Sequence, residues 1–414
     1  MRIAIIGGGI SGMVSAYLLN QDYDTVLFEA NNYIGGHTHT IEVTIGNRRY
    51  AVDTGFIVFN EVTYPNFLKL LRRLGVEYQP STMTFSVKSE RDGIEYSARN
   101  LNSFFAQRKN LLDLSFYRMI RDIFRFRREF DRLLEEERQE EGLVPFLRSQ
   151  GYSRRFIDDF IVPLGSALWS TDPKRIEDFP LATFVRFFAN HGFLQIKNPF
   201  EWKVIKGGSA RYVDKLIEPF RGKIRLGAPV RTVTRHPDRV EVRLDGGIIE
   251  RFDHVVLAVH SDQALAMLSD PAPAEREILG AIPYQENLTM LHTDTRILPD
   301  RRRIWSSWNY CIPREELRRA VITYDMNILQ NLGAPEEFCV TLNRPDIIAK
   351  ERIIGTYDYH HPVYTTAAPA AQKRYGEISG VNRTHYAGAY WGYGFHEDGV
   401  NGALAACSYF GKRL

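Results

Sequence analysis

The run Gly7-Gly8-Gly9-Ile10-Ser11-Gly12, entered directly from Arg2-Ile3-Ala4-Ile5-Ile6, restricts this chain more than any other feature. A β-branched, almost continuous apolar segment has the character of a strand covered on both faces, so it should open a parallel sheet. Gly7 permits a tight turn, Gly9 lets backbone approach a pyrophosphate, and Gly12 lets a helix from Met13 to Leu19 pack on the sheet. Phosphates then sit at that helix's N-terminus, beside Ser11, where free amides and the helix dipole favour an anion. Thr25-Val26-Leu27-Phe28 reads as the second strand, and Glu29 at its end is placed to accept hydrogen bonds from a ribose. Strand, helix, strand and acid in this order predict a dinucleotide site; the alternative is a structural turn without ligand.

After Glu29 come Ala30-Asn31-Asn32-Tyr33-Ile34-Gly35-Gly36-His37-Thr38, a glycine pair that a simple nicotinamide domain does not need. This resembles the flavin signature of the amine oxidase and phytoene desaturase superfamily, in which the pair lets backbone lie along FAD and an arginine usually follows. Here His37 takes the arginine's place, and a neutral imidazole offers one donor without permanent charge. Val52-Asp53-Thr54-Gly55-Phe56 resembles the family's approach to the flavin, and Ile205-Lys206-Gly207-Gly208-Ser209-Ala210 its return into the cofactor domain. Beyond it, Val230 to Val233, Val240 to Leu244, the Asp245-Gly246-Gly247 turn and Phe252 to Ala258 read as a β-meander and a buried strand. The resemblance implies backbone contact with FAD at Val230 and Ala258.

Near the C-terminus, Tyr386 to Gly394 leads through Phe395-His396-Glu397-Asp398-Gly399-Val400-Asn401-Gly402 into an alanine-rich helix. It resembles the family's terminal FAD motif, which places Gly388, Gly399 and Val400 beside the isoalloxazine. The resemblance implies an α/β fold: a Rossmann-type FAD-binding domain of parallel sheet and β-meander, with an α+β substrate domain. The expected division is 1–75, 201–268 and 376–414 for FAD, and 76–200 with 269–375 for substrate. The segments Asn190 to Leu194, Leu291-His292-Thr293-Asp294, Ser307 to Tyr310, Met326 to Gln330 and Gly394 to Gly399 are similar to a bacterial branch of FAD oxidoreductases. That branch's association with fatty acyl modification implies a lipid acyl substrate.

Composition excludes other classes. A net charge of +3 over 414 residues makes no case for nucleic acid. No apolar run reaches the roughly 18 residues of a membrane span and no export signal precedes the first strand, so a cytoplasmic protein is expected. Cys311, Cys339 and Cys407 form no redox pair, and no metal-ligand spacing occurs. From residue 115 to 137, Phe116, Ile120, Ile123, Phe130 and Leu134 follow helical spacing beside Arg118, Arg121, Arg125, Arg128 and Arg132. That pattern suits either a solvated face, with Arg125–Glu129 and Arg132–Glu136 pairs, or a peripheral membrane contact.

Only one nucleotide fingerprint is present, so no built-in nicotinamide reductase is expected. Electrons must leave for a separate acceptor (oxygen, a quinone or a redox protein) or return to the substrate. The resulting expectation is an FAD-dependent oxidoreductase moving a hydride from an apolar, lipid acyl substrate to flavin N5. A flavin amine oxidase, a redox-neutral isomerase and a non-catalytic flavin protein are the alternatives. His396 and Glu397 are the candidates for proton transfer, with His191 more remote, and Tyr390 is a candidate for an aromatic wall or amine cage.

Overall fold

The computed structural model describes residues 1–135, 141–190 and 200–414. The opening segment forms strand β1 (Arg2–Ile6), helix α1 (Ile10–Leu19) and strand β2 (Asp24–Phe28). β1 lies inside a parallel sheet of five strands, with β2 and Ile224–Arg225 on one side and His254–Leu257 and Thr384–Tyr386 on the other. Ile3 to Ile6 are buried, as their uninterrupted apolar character requires. The sheet therefore collects strands from the start, middle and end of the chain.

Val230–Arg235, Val240–Leu244 and Ile249–Phe252 form the antiparallel meander beside it. A second large sheet of seven strands runs in the order Ile353–Pro362, Tyr284–His292, Cys339–Leu342, Val321–Asp325, Trp308–Ile312, Phe85–Ser89, Ile94–Ser97. All its pairings are antiparallel except that of Trp308–Ile312 with Phe85–Ser89. The described residues of 101–135 and 141–190 are mainly helical, and the longest helix among them is Leu114–Glu135.

That long helix differs from the spacing read in the sequence. Its buried residues include Phe116, Met119, Phe126, Phe130 and Leu133, whereas Ile120 and Ile123 are half-buried and Leu134 is exposed. The core-facing stripe is thus rotated toward Met119, Phe126 and Leu133. Phe126 packs on Phe156 and Phe184, and the rings demand more area than the aliphatic residues beside them. Arg125 Nε donates to Glu129 Oε1 at 2.9 Å, the expected i,i+4 pair; Glu136 lies outside the described residues.

Candidate flavin site

The glycine turn is built by close approach. A Cβ on Gly7, whose φ is +106°, would lie 2.4 Å from the Ala258 carbonyl oxygen, and one on Gly12 would lie 1.8 Å from the Gly7 oxygen. These two glycines are needed by the protein itself. A Cβ on Gly9 would meet nothing within 4 Å, so the space above the α1 N-terminus stays open. Gly36, at φ +59°, folds over it, since its Cβ would be 3.0 Å from Gly9 Cα, and Gly35 N donates to the Gly8 oxygen at 2.9 Å. An open cradle between two glycine backbones at a helix N-terminus fits a pyrophosphate.

Glu29 is buried and its two carboxylate oxygens accept from Gly8 N at 2.7 Å and Asn31 N at 2.8 Å. A carboxylate has about four acceptor positions, so lone pairs remain for ribose hydroxyls. Glu29 O also accepts from Ala228 N, which brings the segment entering Val230 alongside the acid, and exposed Ala30 follows it. Gly55 and Phe56 grip the next loop: Phe56 N donates to His37 O at 2.7 Å, and a Cβ on Gly55 would clash with that oxygen. Ser11 Oγ donates to Gly399 O at 2.8 Å, and Thr38 Oγ1 shares a 2.6 Å hydrogen bond with Tyr212 OH. Their hydroxyls tie protein to protein, leaving Ser11's backbone amide region for the anion.

His37 stands in a group of aromatic rings, 5.0 Å from Tyr359, 5.2 Å from His361 and 6.5 Å from His260. Burial, and after it the nearby His360, lower it to about 4, so at pH 7 it is neutral and supplies no charge in place of an arginine. His260 is lowered further, to about 3, by the same causes. No sequence pattern connects these residues; Tyr359 and His361 come from a strand more than 300 residues downstream.

In the terminal motif, helix His396–Ser408 packs against α1. A Cβ on Gly399 would be 2.5 Å from Ile10 Cγ2, and one on Gly402 would be 2.7 Å from backbone atoms of Gly388. Val400 is wholly buried in the same core. His396 is buried, stacks on Phe56 at 3.6 Å and shares a 2.7 Å hydrogen bond from Nε2 with Tyr212 OH. Burial and the proximity of His37 hold it well below its ordinary value, hence neutral. Glu397 accepts from Asn66 N at 3.0 Å and Phe67 N at 2.8 Å, so its carboxylate caps helix Pro65–Leu74 from outside. Asp398 Oδ2 accepts from Tyr393 N and Phe395 N, both at 3.0 Å, and holds the turn before its own helix. Tyr390 is fully buried, with its ring against Gly388 and Trp391. His191 lies outside the described residues.

Sequence reading missed the hub at Asp53. Its buried carboxylate accepts from Thr40 Oγ1, Ser209 N, Ser209 Oγ and Gln330 Nε2, while its own amide donates to Gln330 Oε1. Burial raises it to about 6 despite those bonds. The segment Met326 to Gln330 thus joins the second sheet to the cofactor region. Likewise His292 is fixed by Thr341 Oγ1 and by Asp294 N, in a part of the large sheet built around Cys339 and Thr341.

Comparison with known proteins agrees with this architecture. The fold and glycine cradle are those of a dinucleotide-binding protein, and the family match makes it an FAD-dependent oxidoreductase. The chain belongs to the flavin containing amine oxidoreductase family, whose profile matches residues 10–335. Its structure resembles cyclohexylamine oxidase from Brevibacterium oxydans IH-35A, at TM-score 0.70 and 16% identity, covering 99% of both chains. It also resembles a fatty acid isomerase from P. acnes, at TM-score 0.71 and 17% identity, covering 99% of this chain and 98% of that one. Wild-type putrescine oxidase bound to putrescine gives TM-score 0.67 and 16% identity over 99% of both chains. No curated protein matches the sequence. The cofactor is FAD, and the residues described above fit it.

Proposed function

We propose that this enzyme removes a hydride from an apolar, lipid acyl substrate and that residues 76–200 and 269–375 supply its substrate domain. The observation that carries this reading is an aromatic layer packed on the terminal FAD motif. Trp169 Nε1 donates to Tyr393 O at 3.3 Å, and Phe187 stacks on Phe395 at 4.8 Å and meets Tyr393 at 5.8 Å. Behind them Trp169, Phe179, Phe184 and Phe187 pack ring to ring. Such a wall suits hydrocarbon better than a solvated cation. The similarity to a fatty acid isomerase supports the same substrate class.

When bound, FAD supplies a two-electron acceptor at N5. The chain's own part is to align a C–H bond, exclude water and accept the accompanying proton. Neutral His396 is the group proposed to accept it, positioned by Phe56 and Tyr212. Glu397, with both oxygens on backbone amides, is proposed to hold helix Pro65–Leu74 in place. With FAD bound, a desaturase would need oxygen, a quinone or a redox protein as separate acceptor, whereas an isomerase would need none.

Amine oxidation is the second reading, favoured by the two amine oxidases of similar structure. Tyr390 is wholly buried, as are Phe184 and Phe187, so burial alone does not separate the two readings. Anaerobic titration of the flavin band with phospholipids bearing methylated or unsaturated chains, and with a panel of amines, separates the two. Bleaching by lipid supports the proposal, and bleaching by amines alone replaces it with the second reading. Double-bond migration without net bleaching selects the isomerase.

A further inference from the structure

The helical region carries an apolar surface that its core does not use. Leu112 is 89% exposed, Leu114 75%, Leu101 73% and Phe124 54%, with Leu111 and Tyr117 also exposed. These residues form one edge. Tyr117 OH donates to Leu111 O at 3.0 Å, and the Tyr117 ring lies 5.6 Å from Phe105. Arg108 donates to both Phe105 O and Asn102 Oδ1, which joins the Leu101 helix to the same edge. Leu114, Tyr117, Arg121 and Phe124 then follow one another at helical spacing along a single face.

Charge on this edge has one sign. Between Arg99 and Arg128 there are eight arginines and lysines and two acids, a net of +6 where the whole chain carries +3, although one of the eight, Arg125, is paired with Glu129 just beyond. Both acids are occupied: Asp113 pairs with Arg155 at 3.3 Å, and Asp122 accepts from Arg121 and from Ser153 N. Arg99, Arg108, Lys109, Arg118 and Arg128 are exposed around the leucines. Protruding leucines with a basic rim match an anionic bilayer, which takes side chains into its hydrocarbon boundary and binds cations at its headgroups. A soluble partner helix would need a groove, whereas these side chains project outward.

We infer that the edge formed by Leu101, Leu111, Leu112, Leu114 and Tyr117, with its rim of arginine and lysine, docks the enzyme on an anionic phospholipid surface. The membrane contact therefore lies at the start of the long helix, ahead of most of the arginine stripe, of whose apolar companions Phe116 and Phe130 face the core. The same helix reaches the aromatic layer from its buried face through Phe126 and Phe184. The inference stands on exposure and charge and does not need the acyl reading.

The test is co-sedimentation of the full-length, FAD-loaded protein with phosphatidylcholine vesicles and with phosphatidylcholine–phosphatidylglycerol vesicles, at low and high salt. Binding is expected on the anionic vesicles, weakened by salt. Leu112→Ser with Leu114→Ser should lower partitioning at least about 10-fold, and Lys109→Glu with Arg118→Glu should remove the preference for anionic lipid. Flavin absorbance and thermal midpoint equal to wild type would confirm that both variants are folded. Wild-type protein remaining in the supernatant, or both variants sedimenting as wild type does, overturns the inference. Sedimentation without flavin bleaching by lipid would leave docking intact and remove the proposed substrate class.

Discussion

The first and last strand-to-helix turns of this enzyme use the same residue for different ends. In the first, Gly7 and Gly12 are pressed against neighbouring backbone, but Gly9 faces open space. In the last, Gly388, Gly399 and Gly402 are all pressed against protein: the Tyr390 ring, Ile10 and the Gly388 backbone. One turn is shaped to leave room for a cofactor, and the other closes chain on chain behind it. A glycine motif shows where backbones come close, without showing what fills the approach.

The comparison breaks most sharply at Gly12. Gly12→Ala puts a methyl inside the van der Waals radius of the Gly7 oxygen, a strain on the order of 3 kcal/mol or more, so little folded protein is expected on expression. A wild-type thermal midpoint would show that α1 can shift at no cost. Gly9→Ala should behave in the opposite way. Its backbone, at φ −73°, accepts alanine, so the fold should survive while FAD affinity falls by roughly 10-fold or more. Unchanged affinity, measured by flavin fluorescence quenching, would remove the pyrophosphate from that space.

The carboxylates of the last turn sharpen the contrast further. Burial raises Asp398 from 3.8 to about 7, so the folded state holds a proton that the unfolded chain releases. Its contribution to stability is present below pH 3.8 and is lost as pH rises toward 7. Asp398→Asn should therefore gain on wild type as pH increases through that window, by at most about 1.4 kcal/mol per unit. Parallel denaturation curves at all pH values would contradict the burial. Smallest is Glu397→Gln, which keeps one acceptor of the cap on Asn66 and Phe67 and should cost about 1 kcal/mol with flavin reduction unchanged. A large fall in the reduction rate at unchanged stability would return Glu397 to the chemistry.

Local physics made the cofactor half readable. Gly7 to Gly12, Glu29 and Gly35–Gly36 announce themselves because turn, strand and helix each need a definite residue type within a few positions. The α/β class followed from them. The roles of Glu397 and Asp53 were hidden because their partners are distant: Phe67 is 330 residues from one and Gln330 is 277 from the other. An acid beside a motif looks the same whether it faces substrate or a helix N-terminus. The rotation of the Leu114–Glu135 stripe escaped for another reason. Helical spacing gives a family of faces, and the fit of Phe126 against Phe156 and Phe184 selects among them.

The union of α1 with the final helix has a consequence for biosynthesis. The fifth strand of the parallel sheet is Thr384–Tyr386, and Gly399 O receives the Ser11 hydroxyl across a separation of 388 residues. During synthesis, the N-terminal glycine turn emerges long before the strand and helix that complete its surroundings. Such a nascent chain exposes an unfinished sheet edge until Thr384–Tyr386 and the helix after it have emerged, and holds its cofactor cradle incomplete for the same interval.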